Sequence, residues 1–289
     1  MKKFRFLSIF PCFFFLFLFL SLSSCANGMI TFSHYEEAER YLAGEVSYSP
    51  DVTIEEINIE WVVGDIVVSQ SQDQSFSLQE SSQSLEEDKK VHTWLDGTLL
   101  HVEFWKSGLV SAVKASEKNL TLSIPSSVSL NISSVSGSVQ ISSLEAKSLH
   151  LSTVSGEISL EEMKVKNEIN LSSVSGAIEA KQIESPVFAV DNVSGKVVGE
   201  GLKTPRVDVD STSGKVDLEF LQCEQANIDT VSSAVYLTLP EGGASIYFDT
   251  MSGKLHSKKE YVVSGEVYRF QEGLCQIQVD TVSGDLTVR

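Results

Sequence analysis

Leu130-Asn131-Ile132-Ser133-Ser134-Val135-Ser136-Gly137-Ser138-Val139 alternates apolar and polar residues on both sides of a small tripeptide. Such a stretch encodes two short strands of period two joined at a corner. The tripeptide recurs as Val154-Ser155-Gly156, Val174-Ser175-Gly176, Val193-Ser194-Gly195, Thr212-Ser213-Gly214, Val231-Ser232-Ser233, Met251-Ser252-Gly253 and Val282-Ser283-Gly284. The last residues are spaced 19, 20, 19, 19, 19, 20 and 31 apart. A fixed period near 20 residues is the mark of a solenoid, each repeat one unit stacked on its neighbours.

The positions around the tripeptide define the unit. Five residues before each Val stand Leu130, Leu149, Ile169, Phe188, Val207, Ala226, Ile246 and Ile277; two after each Gly stand Val139, Ile158, Ile178, Val197, Val216, Val235, Leu255 and Leu286. A strand with one apolar face cannot bury it alone. Stacking puts each apolar column inside, with rungs hydrogen-bonded about 4.8 Å apart. Gly suits the corner because the chain bends there and φ can turn positive, so Ser233 predicts a different or strained corner.

Working outward, Ile57, Ile59, Val62, Gly64, Ile66 and Val68 fit the same template as one upstream rung, and residues 70–119 then interrupt the solenoid. Inside that insertion, Val91–Trp105 predicts a hairpin turning at Asp96-Gly97. Residues 33–44, with Ser33 as cap and Tyr35, Ala38, Tyr41 and Leu42 following, predict a short helix over the open end. The extra residues within 254–281 predict a second hairpin at Ser264-Gly265 capping the other end. The fold class is therefore all-β: a single-chain, parallel β-helix-like solenoid of about nine two-strand rungs, with hairpin insertions and a short amino-terminal helix.

Lys2, Lys3 and Arg5 followed by the apolar run Phe6–Leu22 read as a signal segment. Leu22-Ser23-Ser24-Cys25 resembles the bacterial lipobox, in which the cysteine is acylated and becomes residue one. Residues 1–24 are thus a lipoprotein signal peptide, 25–50 a tether with the short helix, and 51–289 the solenoid, with regular repeats from 120 onward. Acyl chains on Cys25 would hold the protein to a membrane without a spanning helix. The expected location is the cell envelope, reached by export across the cytoplasmic membrane.

The chain carries 39 acidic and 22 basic residues, a formal charge of −17. Loss of Lys2, Lys3 and Arg5 with the signal makes this −20. Nucleic acid, which needs a basic surface, is excluded as a partner. After Cys12 leaves with the signal and Cys25 is acylated, Cys223 and Cys275 remain. They could pair in an oxidising compartment, but the repeat places a whole rung between them, about 9.6 Å, beyond disulfide reach unless the late insertion folds back. Two separate thiols are expected.

The V-S-G repeat, together with Ile57-Asn58-Ile59-Glu60-Trp61-Val62-Val63-Gly64-Asp65-Ile66 and Leu122-Ser123-Ile124-Pro125, resembles the bacterial putative-adhesin family, domain of unknown function 4097. The likeness runs over roughly residues 31–289. It implies a β-solenoid of the cell surface or envelope and offers no catalytic residues to carry over.

One column stands out two residues before each Val: Ser133, Ser152, Ser172, then Asp191, Asp210, Asp229, Asp249 and Asp280. Carboxylates stacked about 5 Å apart repel one another and invite a cation such as Ca²⁺; alternatively each Asp caps its own turn. The glycine-rich nonapeptide of calcium-binding β-rolls is missing, so no cofactor or metal is assigned. A turn at Asp96-Gly97 would set His92 opposite His101 beside Glu103, a trio that on an exposed hairpin is incidental. G-x-S-x-G, H-E-x-x-H, P-loop and dinucleotide motifs do not occur.

The leading expectation is a non-enzymatic, lipid-anchored adhesin or structural solenoid with a protein or glycan ligand. An envelope-sensing or regulatory lipoprotein is the first alternative. A polysaccharide-acting enzyme using paired Asp residues is the second.

Overall fold

The structure is a computed structural model and describes residues 30–31, 34–81, 85–108, 110–111 and 118–289. The signal segment, Cys25 and Ser33 lie outside the described residues. The chain forms two long sheets, of 14 and 12 strands, that face each other across one core. Each rung contributes a strand to the first sheet and, past the corner, a strand to the second.

Rungs are numbered in stacking order. Leu99–Glu103 with Asn119–Ile124 is rung 1, Glu56–Trp61 with Ile66–Gln70 rung 2, and Ser129–Ser134 with Val139–Ala146 rung 3. Ser148–Thr153 with Ile158–Val165 is rung 4, Glu168–Ser173 with Ile178–Glu184 rung 5, and Val187–Asn192 with Val197–Lys203 rung 6. Arg206–Ser211 with Lys215–Gln222 is rung 7 and Gln225–Thr230 with Ala234–Thr238 rung 8. Cys275–Thr281 with Leu286–Val288 is rung 9 and Ala244–Thr250 with Leu255–Ser257 rung 10. All pair in parallel, matching the repeat position for position: Leu130 lies beside Leu149, which lies beside Ile169. The inward columns fill the core, with Leu130, Leu149, Ile169, Val139, Ile158 and Ile178 all at 0% exposure.

The solenoid expected from the repeat is what forms, and its ends differ from the expectation in three ways. First, the described residues form ten rungs, because the 70–119 insertion adds one. It builds rung 1 outside rung 2: Leu99–Glu103 pairs with Glu56–Glu60 and Asn119–Ile124 with Ile66–Gln70. Second, chain order and stacking order diverge at the far end. Rung 9, the last in sequence, slots between rungs 8 and 10, with Ile277 paired to Ala226 on one side and Ile246 on the other. Third, the helix expected over 33–44 is a single 3₁₀ turn, Ala38–Arg40, followed by the strand Leu42–Ala43. A segment this short is a marginal helix, and its backbone pairs instead with His92–Thr93.

Hairpins close both ends. His92–Asp96 returns along Leu99–Glu103, and Val262–Ser264 along Val267–Arg269, which in turn pairs with rung 10. The two-residue loops are Gly97-Thr98 and Gly265-Glu266, with both glycines at positive φ. The first turn lies one residue later than Asp96-Gly97, so His101 faces Trp94, and His92 faces Glu103. The anticipated His92–His101 pair does not form.

Candidate binding face

The repeated tripeptide proves to be stacking hardware. Serine hydroxyls of the tripeptide donate to carbonyls of the adjacent rung, Ser136 to Val62 at 3.1 Å, Ser175 to Val154 at 3.1 Å and Ser194 to Val174 at 3.1 Å. The glycines are needed for close approach rather than for φ. A Cβ at Gly156 would lie 1.9 Å from the Gly137 carbonyl oxygen, and one at Gly176 1.9 Å from that of Gly156. Of the template glycines, only Gly64 and Gly214 have positive φ. Gly214 reaches 122° beside Ser233, whose hydroxyl is buried against that of Ser211 at 3.2 Å. The irregular corner expected at Ser233 thus appears on the neighbouring rung.

Turn capping belongs to the column directly before each Val or its substitute, which sequence reasoning passed over; Ser134, Ser173, Asn192, Thr250 and Thr281 accept the N–H of the glycine three residues on, whereas Thr153 and Ser211 donate to carbonyls of the same turn. Gly137 N–H donates to Ser134 Oγ at 3.0 Å, Gly195 N–H to Asn192 Oδ1 at 2.9 Å and Gly284 N–H to Thr281 Oγ1 at 2.9 Å. The unbroken Ser/Thr/Asn run at this position was the available signal. The Asp column lies one residue earlier, on the outward face of the same strands.

Those Asp side chains point outward on the first sheet. Inserting rung 9 makes their stacking order Asp191, Asp210, Asp229, Asp280, Asp249, all half-buried and in register. Toward the other end the column continues as Ser172, Ser152 and Ser133, then Glu60 and Glu103. It is acidic at both ends and neutral in the middle. Burial, with Asp191, Asp229 and Asp208 nearby, pushes the Asp210 carboxyl up to about 6. Burial also raises Asp229 and Asp280, each helped by an acidic neighbour. Glu60 is pushed up to about 7 by burial, and Glu103 to about 8 by burial and by Glu60. Among the described residues no cluster of three or more His, Cys, Asp or Glu side chains is placed to hold a metal ion.

The central outward column is His101, Asn58, Asn131, His150, Asn170, Ala189, Asp208, Asn227, Gln278 and Tyr247. Amides bridge rungs along it, Asn131 donating to Asn58 at 2.7 Å and Asn227 to Asp208 at 2.7 Å. Near rungs 8–10, Gln225, Asn227, Gln276, Gln278 and Tyr247 line a shallow depression of about 190 Å³. At the opposite end an aromatic group sits on the face, with Trp94 stacked on His101 at 5.4 Å and Tyr41 against Trp94 at 5.6 Å.

The family model described as Toastrack DUF4097 matches residues 54–289. The chain belongs to this family. As a Toastrack domain it resembles a solved putative adhesin of Bacteroides fragilis, 15% identical, with 85% of this chain and 96% of that one aligned at a TM-score of 0.53. That likeness shows a shared fold. A putative lipid binding protein of Parabacteroides distasonis aligns at 15% identity over 85% of this chain and 97% of its own, with a TM-score of 0.48. A putative cell adhesion protein of Clostridium sporogenes aligns at 13% identity over 85% and 98%, with a TM-score of 0.29. No curated protein matches the chain. The Toastrack match spans every rung.

Proposed function

We propose that this chain is a non-enzymatic binding rod of the bacterial cell envelope, anchored through acylated Cys25, that engages an extended protein or glycan along the outer face of the first sheet. The observation that carries this reading is the unbroken register of that face across ten rungs. Each rung adds one more weak contact of the same kind in line, and linked weak contacts multiply into avidity. The amide column offers donors and acceptors to a hydroxyl-rich or peptide backbone. Membership of the Toastrack family and the fold shared with the Bacteroides fragilis protein support a surface location.

The test uses soluble Ala26–Arg289 on immobilised matrix proteins, a glycan panel and the producing cell's own envelope extract, each with Ca²⁺ and with chelator. Asn131→Lys with Asn170→Lys should abolish capture, whereas Glu161→Lys on the second sheet should not. Capture that ignores both substitutions, or silence on all surfaces, would sink the reading. Loss of binding in chelator would make the Asp column a cation ladder. Cys25→Ser should release the full-length protein from membranes.

A further inference from the structure

We propose that Cys223 and Cys275 are a disulfide site that locks rung 9 into its slot. The inserted rung brings together what the repeat alone holds two rungs apart. Gln225 pairs with Gln276, so Cys275 enters the stack level with the bend that holds Cys223. The sulfurs stand 2.7 Å apart, inside the roughly 3.5–4 Å at which non-bonded heavy atoms ordinarily pack. Both side chains belong to the core, with Cys275 fully buried. Both are free thiols here, facing each other across the bend.

The position explains the bond. Rung 9 is the one rung that must enter between two already laid down, and it is built from the last residues of the domain. A link from Cys275 to Cys223 ties its first residue to the rung 7–8 bend. The link closes a loop between residues 52 apart in sequence, and chain-entropy arguments give long loops the larger stabilisation.

The chemistry balances with an external protein disulfide, as carried by a thiol–disulfide oxidoreductase. One cysteine thiolate attacks that disulfide and gives a mixed disulfide, releasing one oxidoreductase thiolate. The second cysteine, deprotonated, displaces the other oxidoreductase sulfur. Two thiols have then lost two protons and two electrons, and the oxidoreductase has become a dithiol. The hydrogen bond with the Cys275 sulfur, and burial after it, hold the Cys223 thiol far above its usual range, so exchange proceeds while rung 9 is still open.

The test takes the full-length protein from membranes, alkylates it under denaturing, non-reducing conditions and digests it with trypsin. Peptides 216–254 and 270–289 should appear joined, two hydrogens lighter than their sum. Reduction should lower Tm by roughly 5–15 °C and speed amide exchange in residues 275–288 ahead of rungs 4–6. Cys223→Ser should show the same Tm with and without reductant. Alkylated Cys223 and Cys275 in the exported protein would overturn the proposal. So would a joined pair whose reduction leaves both Tm and rung 9 exchange unchanged.

Discussion

At the amino-terminal end the chain lays down rung 2, builds rung 1 outside it and then crosses back to start rung 3. At the carboxy-terminal end it leaves rung 8, builds rung 10 and comes back to fill rung 9. Both ends are out-and-back excursions, whereas rungs 3–8 follow one another in order. The middle relies on the repeat: serine hydroxyls, close-packed glycines and small capping side chains recur from rung to rung, with one irregular corner at Gly214 and Ser233. The ends add particular side chains. At the carboxy-terminal end these are the two cysteines. At the amino-terminal end it is Lys118, fully buried and ion-paired to Glu80 at 2.6 Å. Its ammonium also donates to the Lys89 and Phe104 carbonyls and lies over the Phe104 and Trp61 rings at 4.3 and 5.1 Å. Where chain order and stacking order part, local chemistry takes over from periodicity.

The largest effect expected from breaking this contrast is at Lys118. Lys118→Ala strands the Glu80 carboxylate in the interior and should cost about 3–5 kcal/mol, with the Lys118→Met, Glu80→Leu double variant near wild type. Amide exchange should rise at rungs 1 and 2 while rungs 4–6 keep their protection. Uniform loosening of the whole rod would mean that the end is no separate unit.

In the middle, Gly176→Ala drives a methyl into the Gly156 carbonyl, and a drop of about 1–3 kcal/mol is expected by denaturant titration. The same change at Gly97 or Gly265, where a Cβ meets nothing within 4 Å, should cost less, mainly from positive φ.

A pH series sharpens the comparison next. Glu103, Glu60 and Asp210 have folded pKa values raised to about 8, 7 and 6, and in the unfolded chain each titrates near 4. Between those limits the native state binds protons that the unfolded state does not, so stability rises as pH falls. His92, lowered by burial, works the other way below about 6.5. Tm should therefore climb from pH 8 to 6.5, and Glu103→Gln should flatten that climb. A falling Tm over this range would refute the burial of the Glu60–Glu103 pair. The smallest effect is Ser175→Ala, which removes one exposed hydroxyl bond and should cost below about 1 kcal/mol.

The same contrast decides what could be read from sequence. The middle was legible because its period is local and its columns repeat at every step, down to the inward face. Stacking order at the ends was not, because parallel pairing leaves no mark in the period of either partner. Asn119–Ile124 alternates as a strand should, yet no V-S-G tripeptide precedes it; the extra rung was invisible to the template. The Cys223–Cys275 distance failed for the same reason, the rungs having been counted in chain order. The Asp column was found, and the insertion of rung 9 changes only the order of its last two members, Asp280 now preceding Asp249. The Ser/Thr/Asn column beside it, which does accept turn N–H groups, went unread because the outward alternation drew attention to the Asp positions.

The late arrival of rung 9 has a consequence for biosynthesis. During amino-terminus-first synthesis or export, rungs 1–8 can assemble while the far end stays open, and closure waits for residue 288 to emerge. A chain cut short after rung 10 but before Cys275 would carry two facing rows of unpaired backbone donors and acceptors. Such rows recruit any passing strand. The closing segment thus separates a finished rod from one with two open strand edges.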